Sequence, residues 1–367
     1  MSYIKRFNII LKILLIVLIF YCSFYNKDIS KVVISDSPTS YEYQSKKLNE
    51  KVPLYNVKDY GAKGDNLSDD TDKIKTAIKA AKTSGGGTIF FEKGTYLVSS
   101  FIEIPSNISI LGEGKLNTTL KRTDKKTERI LTLWGDQTVQ DIGFNSKIGI
   151  LPSGDNITVL DCKFQSSIQG IQNAVTIYNL IVINTIFENC GYGILSNVNP
   201  SFDVKIINCR FINITSDGIE ININSERWVI ENCIFDKNIS KSIWAGVGVG
   251  AAISAKDITI KNSSFNNMIA QGVHVEDHAE VTIKNSSFVN CGSEKFTGSP
   301  KADIAVLSGA KVNIIDCVFY KSNKEYSDLA VYNTLAPVGG TVYIKNSDFY
   351  KKNIGSNISV QSSEFFE

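Results

Sequence analysis

Val204-Lys-Ile-Ile-Asn-Cys-Arg-Phe211 and Trp228-Val-Ile-Glu-Asn-Cys-Ile-Phe235 are two versions of one phrase: an aliphatic-x-aliphatic strand, Asn or Asp, a small residue, a variable residue, Phe. The same phrase ends at Phe164, Phe187, Phe265, Phe288, Phe319 and Phe349, so successive Phe residues are 23, 24, 24, 30, 23, 31 and 30 positions apart. A repeat of about two dozen residues with occasional insertions reads as a solenoid, because one unit has too little apolar surface for a core of its own. Within the unit the apolar residues alternate with period two and show no helical period, so the strands stack as an all-β, parallel β-helix.

Composition fits a large ordered body. The chain has 367 residues, is 43% hydrophobic and carries a net charge of +2. With Lys and Arg scattered beyond the N-terminus, nothing argues for a nucleic-acid partner. Cys162, Cys209, Cys233 and Cys317 stand two residues before the repeat Phe, where other units have Thr185, Ser263, Ser286 and Ser347. A position that exchanges Cys for Ser and Thr calls for a small side chain in a stack, so reduced, packed thiols are expected. Cys190 and Cys291 share a second such position, and no Cys-x-x-Cys argues for zinc. The recurrent Asn is expected at a turn, bonding its counterparts in neighbouring coils.

The N-terminus is different. Lys5, Arg6 and Lys12 precede an apolar run from Ile13 to Phe20 that continues through Tyr25. This pattern reads as a signal peptide or signal anchor over residues 1–25, and the lack of a small-x-small cleavage site favours the uncleaved anchor. Residues 26–51 are polar and rich in Ser and Lys, as in a flexible stalk. The β-helix, residues 52–367, would then lie outside the cytoplasm, secreted or held at the membrane through the N-terminal segment only.

A more specific signal follows the stalk. Val57-Lys-Asp-Tyr-Gly-Ala-Lys-Gly-Asp65, Ser68-Asp-Asp-Thr-Asp72, Gly85-Gly-Gly-Thr-Ile-Phe-Phe91, Lys93-Gly-Thr-Tyr-Leu97 and Ile110-Leu-Gly-Glu-Gly114 resemble the opening of the pectate-lyase-like superfamily. That superfamily includes polygalacturonases, rhamnogalacturonases, alginate epimerases and phage tailspikes. The resemblance is close from about Pro53 to Thr119 and looser through the repeats. It implies a right-handed β-helix and a polysaccharide partner. In physical terms the segment is a cap: Ile74, Ala77, Ile78 and Ala81 form one apolar helical stripe, and Gly85 to Gly87 end the helix. Asp69, Asp70 and Asp72 fall at its start, where capping of free amides competes with a metal-binding reading and is favoured over it. No cofactor is expected, and nothing in the sequence supports calcium.

Catalytic motifs of the superfamily are only faintly echoed. Thr215-Ser-Asp-Gly-Ile219 partly resembles the polygalacturonase Asn-Thr-Asp motif, and Gly272-Val-His274 distantly resembles its Gly-His-Gly. The Asp-Asp pair, the Arg-x-Lys and the epimerase Asp-Pro-His are missing from the expected coils. Counting from each Phe instead gives an outward-facing column of Gln172, Leu195, Glu220, Trp244, His274, Ala305 and Ala330, with Asn222 and Glu276 two residues further along. Glu220 and His274 are the expected acid/base groups, two coils apart. Asp217 and Glu276 would tune them, Trp244 would stack on a sugar ring, Arg227 would meet a sugar carboxylate, and Asn222 would also bind substrate. These residues point to a hydrolase, lyase or epimerase acting on an acidic or envelope polysaccharide. The alternative is a non-catalytic glycan-binding or envelope-assembly protein on the same scaffold.

Overall fold

The computed structural model describes residues 52–123, 128–239, 245–298, 300–334 and 338–366. The expected anchor (1–25) and stalk (26–51) lie outside them. Among the described residues no helix is long and apolar enough to cross a membrane.

The described chain winds as a right-handed parallel β-helix. Three sheets of 15, 13 and 11 strands run its length, and each strand pairs in parallel with its counterpart one coil away. The first sheet holds the aliphatic half of each phrase, as in Glu226–Glu231 and Lys256–Lys261. The second holds the Phe, as in Arg210–Ile212 and Ile234–Asp236. The third and shortest, including Ile219–Ile221, Val249–Ala251 and Val273–Val275, carries the outward column read from the sequence.

The phrase is explained position by position. Its Asn or Asp turns the chain from the first sheet into the second with positive φ: 51° at Asn184, 54° at Asn208 and Asn232, 55° at Asp316. Asn and Asp tolerate this left-handed conformation better than other residues with a Cβ, so backbone geometry selects them first. Bonds between such side chains of adjacent coils are added, as from Asn346 Nδ2 to Asp316 Oδ1 at 3.2 Å.

The small residue follows for a polar reason as well as a steric one. Cys209 and Cys233 donate Sγ–H to the carbonyl two residues back at 3.3 and 3.4 Å, and Ser263 Oγ makes the same bond at 2.9 Å. The Ser hydroxyl also accepts a backbone N–H from the previous coil, Cys233 N to Ser263 Oγ at 3.1 Å. Alanine would fit but could not bond. The six cysteines among the described residues are free and buried, and burial pushes the Cys162 thiol up to about 12, which leaves it an inert packing group.

The Phe rings form a stack through the core. Neighbouring rings from Phe144 to Phe349 lie 4.6 to 5.0 Å apart and nearly parallel. The six rings from Phe164 to Phe288 each press on a glycine at or beside the start of a third-sheet strand. A Cβ at Gly193 would come within 2.6 Å of the Phe211 ring, and one at Gly218 within 2.8 Å of Phe235. In the coil after Gly272 the glycine gives way to Asp303, which is paired with Lys352 at 2.8 Å, both side chains fully buried.

Thr71–Thr83 forms the expected capping helix, burying Ile74, Ala77, Ile78 and Ala81 against the first coil. Its acidic start divides the work. Asp69 accepts from the Thr71 amide at 3.0 Å, whereas Asp70, buried, accepts from the Lys63 and Gly64 amides at 2.7 and 3.0 Å and ties down the preceding loop. The Gly86 amide reaches back to the Ala81 carbonyl at 2.9 Å and closes the C-terminus.

Candidate functional site

Strand register fixes which outward residues are neighbours on the third sheet. Leu195 pairs with Glu220, Glu220 with Gly250, Gly250 with His274, and His274 with Ala305. Glu220 and His274 therefore stand two coils apart, about 9.6 Å between backbones. The residue between them is Gly250 and not Trp244, which lies outside the described residues. At the far end Ala305 pairs with Tyr332 and not Ala330. Both differences fall in long coils: insertions after Phe235 and Phe319 displace the count while the hydrogen-bonded register absorbs them.

Gly250 changes the character of the site. A Cβ built there meets nothing within 4 Å, so the position opens directly to solvent. The next outward row repeats the arrangement, because Ile221, Ala251 and Val275 are in register and place small Ala252 between Asn222 and Glu276. A floor of Gly250 and Ala252 is thus bordered by Glu220 and Asn222 on one side and by His274 and Glu276 on the other. The strand geometry makes a notch two residues long between two polar walls.

The walls differ electrostatically. Asn222 Nδ2 donates to Glu220 Oε1 at 2.6 Å. Burial, with the nearby charges of Asp217 and Glu276, outweighs that bond and raises Glu220 to about 7. On the facing wall His274 Nε2 lies 3.4 Å from Glu276 Oε2, and its Nδ1 lies 3.3 Å from Gln271 Oε1. The hydrogen bond with His274 holds the Glu276 carboxyl below the usual range despite partial burial. Gln271 is itself fixed by donating to the Pro300 carbonyl.

Asp217 is 7% exposed and accepts from the Gly246 and Val247 amides at 3.1 and 3.0 Å, pinning the Gly-rich loop beside the notch. Burial raises it to about 6, against the pull of those two bonds. Its raised value has a consequence for stability. A carboxyl whose folded value exceeds its unfolded one contributes stability below about pH 4 that is lost as pH rises through about 6. Asp217→Asn keeps the acceptor for both amides and removes the titration. Its stability is expected to gain on the wild type between about pH 4 and about pH 8, by up to about 3 kcal/mol, with a matching rise in relative melting temperature. Thermal unfolding at both values checks this, and a pH-independent difference counts against it.

Two other residues fall differently from expectation. Arg227 belongs to the first-sheet strand Glu226–Glu231, away from the third sheet, and Asp203 takes its guanidinium at 2.7 and 2.9 Å and Glu226 at 3.1 Å. It is a clasp between coils and does not line the notch. Tyr192, unremarked in the sequence, is half-buried near Asp217 and Glu220; burial raises its phenol first and their charges second, while Ser216 hydrogen-bonds it. Only the register brings Tyr192 near the site, since nothing in its own phrase marks it. Among the described residues no group of three or more His, Cys, Asp or Glu is placed to hold a metal ion.

Comparison with known proteins follows the same lines. Residues 54–133 match the family described as rhamnogalacturonase A/epimerase, pectate lyase-like, and residues 136–254 match the right handed beta helix region. Alginate lyase 7 of Azotobacter vinelandii is 46% identical over 83 residues, 21% of this chain and 10% of that protein. Mannuronan C5-epimerase AlgE1 of the same organism is 36% identical over 151 residues, 38% of this chain and 10% of that protein. The chain thus spans about a tenth of the length of these curated relatives. In three dimensions it is similar to the A-module of A. vinelandii mannuronan C-5 epimerase AlgE6, with a TM-score of 0.64 and 17% identity over 85% of this chain and 99% of that one. At that identity the likeness shows the fold.

Proposed function

We propose that this chain, a right-handed β-helix protein of the pectate-lyase-like superfamily, cleaves a glycosidic bond in a polysaccharide by acid/base catalysis at the Gly250 notch. The observation that carries the reading is the opposite displacement of two carboxyl groups across one open floor: Glu220 raised to about 7 and Glu276 held low. Two titratable groups pushed apart by their surroundings are the usual basis for dividing acid from base. Glu220 gives its proton to the leaving glycosidic oxygen. Glu276, with His274 against it, takes a proton from a water whose oxygen bonds to the anomeric carbon as the old bond breaks. A spacing of two coils leaves room for that water between sugar and base. Asn222 orients Glu220, and Asp217 supports the raised value by charge and by holding the loop. The names of the relatives, an alginate lyase and mannuronan epimerases, favour a polymer of uronic acids. The Lys5, Arg6 and Lys12 charges before the apolar run support a site of action outside the cytoplasm.

The test is incubation of the full chain with alginate, polygalacturonate and neutral glucans, recording new reducing ends and unsaturated uronates separately. Reducing ends without unsaturation are expected on a uronate polymer. Unsaturated ends would replace hydrolysis by elimination, and no product on any polymer would remove the catalytic reading. Gly250→Leu fills the floor without touching the core, so it is expected to abolish turnover at an unchanged melting temperature. Retained turnover in that variant would place the substrate elsewhere.

A further inference from the structure

A second feature lies at the other end of the same outward column. Lys75, Lys79 and Lys82 are four and three residues apart on the capping helix, on one exposed face. With Ile78, Ser100, Phe101 and Glu103 they line a cleft of about 330 Å³ between the helix and the first strand of the third sheet. That volume is within the range of small-ligand sites. Lys75 Nζ donates to Ser100 Oγ at 2.7 Å, which fixes one ammonium at the rim. Phe101 is 43% exposed, and the Arg129 guanidinium lies over its ring at 4.3 Å. Arg129 Nε in turn bonds Thr132 Oγ1 at 2.7 Å.

Helix capping accounts for little of this. Lys82 sits in the last turn, where it offsets the helix dipole. Lys75 and Lys79 stand further from that terminus and gain less from it. Three ammonium groups and a guanidinium-backed aromatic ring around one concave space, with Glu103 as the single acid lining it, make a site selective for a negatively charged ring compound. Apolar ring faces suit an aromatic, and carboxylates suit the ammonium groups.

The position of the cleft identifies the ligand more closely. Glu103 pairs with Thr132, and Thr132 with Leu151; Gln172 pairs with Leu195, and Leu195 with Glu220. Leu151 and Gln172 are adjacent by the pairing of Ile150 with Ile171. The cleft is thus five coils from Glu220 on one continuous sheet face, about 24 Å along the axis. We propose that the cleft is a distal subsite for a uronate unit of the polymer whose bond is broken at the notch. This inference rests on the reading that the substrate is a polyuronate, and it adds that the polymer extends along the solenoid axis as far as the capping helix.

Binding can be measured apart from turnover. In the full chain carrying Glu220→Gln, so that polymer is not consumed, isothermal titration with polygalacturonate and polymannuronate is compared with dextran as the neutral polymer. K75Q/K79Q/K82Q is expected to weaken binding of the polyuronates on the order of ten-fold or more, and the wild-type affinity is expected to fall with added salt. K256Q/K284Q/K311Q removes the same charge from exposed positions on the first sheet and is expected to change affinity less than about two-fold. Equal losses in both triple variants, or none in the first, would overturn the subsite. So would an absence of polyuronate binding, including the case in which the cleft lysines instead govern binding to phosphatidylglycerol vesicles. If polyuronate binding depends on the cleft but the wild type turns none over, the subsite stands and the acid/base reading falls. If the wild type turns over a polyuronate and K75Q/K79Q/K82Q leaves both binding and KM unchanged, the reverse holds.

Discussion

Glu220→Gln is expected to lower kcat on a cleaved polysaccharide by a factor on the order of 100 or more, with little change in melting temperature. The amide has nearly the shape of the acid and still offers an oxygen to Asn222 Nδ2, which lies 2.6 Å from Glu220 Oε1. What it lacks is a transferable proton. Because Glu220 is raised to about 7 by burial and by neighbouring carboxylates, the protonated acid is available at neutral pH. Activity should then decline on the alkaline side as pH passes through about 7. Asp217→Asn removes one of the charges that raise Glu220, so it should move that alkaline limb to lower pH while leaving the maximum rate largely intact. Glu276→Gln should act on the acid limb instead, since Glu276 must be ionised to accept a proton. Full turnover in Glu220→Gln, on a polymer the wild type cleaves, would separate the notch from the chemistry.

The repeating phrase made the architecture legible because every position in it answers to a constraint that recurs once per coil. Phe211 and its counterparts fill the same ring stack, Asn208 and its counterparts the same left-handed turn, and Cys209 alternates with Ser263 over the same carbonyl bond. Such constraints are local in sequence and leave a period. Glu220, His274, Asn222 and Glu276 were legible for the same reason, since they keep fixed offsets from the phrase in coils of ordinary length. Where a coil carries an insertion, the offset no longer measures distance along the sheet. Trp244 stands nine residues after Phe235, but the strand that pairs with Glu220 and His274 begins at Val249. The decisive residue there is Gly250, whose contribution is the absence of a side chain, and no residue-type argument seeks chemistry in an absence. Arg227 falls away from the site because it belongs to a different sheet, in the strand Glu226–Glu231 at a position with φ near 59°, and its side chain reaches Asp203. Tyr192 depends on contacts between coils that only the folded register defines.

Phe235→Ala is expected to cost about 3–5 kcal/mol, the range for deleting a fully buried aromatic side chain. Its ring lies 4.6 Å from Phe211 and 4.7 Å from Phe265, stacked on both sides, and is 1% exposed. Collapse into the gap is obstructed, because the strand spacing that sets the ring separation is held by backbone hydrogen bonds on either side. Gly218, whose missing Cβ makes room for this ring, offers no side chain to fill the gap. Phe235→Leu retains part of the volume and should cost less than Phe235→Ala, though the loss of stacking on both faces remains. Since the coils of a solenoid are stabilised through their nearest neighbours, the damage should spread to the strand Val249–Ala251 that forms the floor of the notch. Urea unfolding of both variants, with turnover measured well below their midpoints, tests the link. A loss of less than about 1 kcal/mol in Phe235→Ala would mean that the ring stack follows from the backbone register without contributing to it.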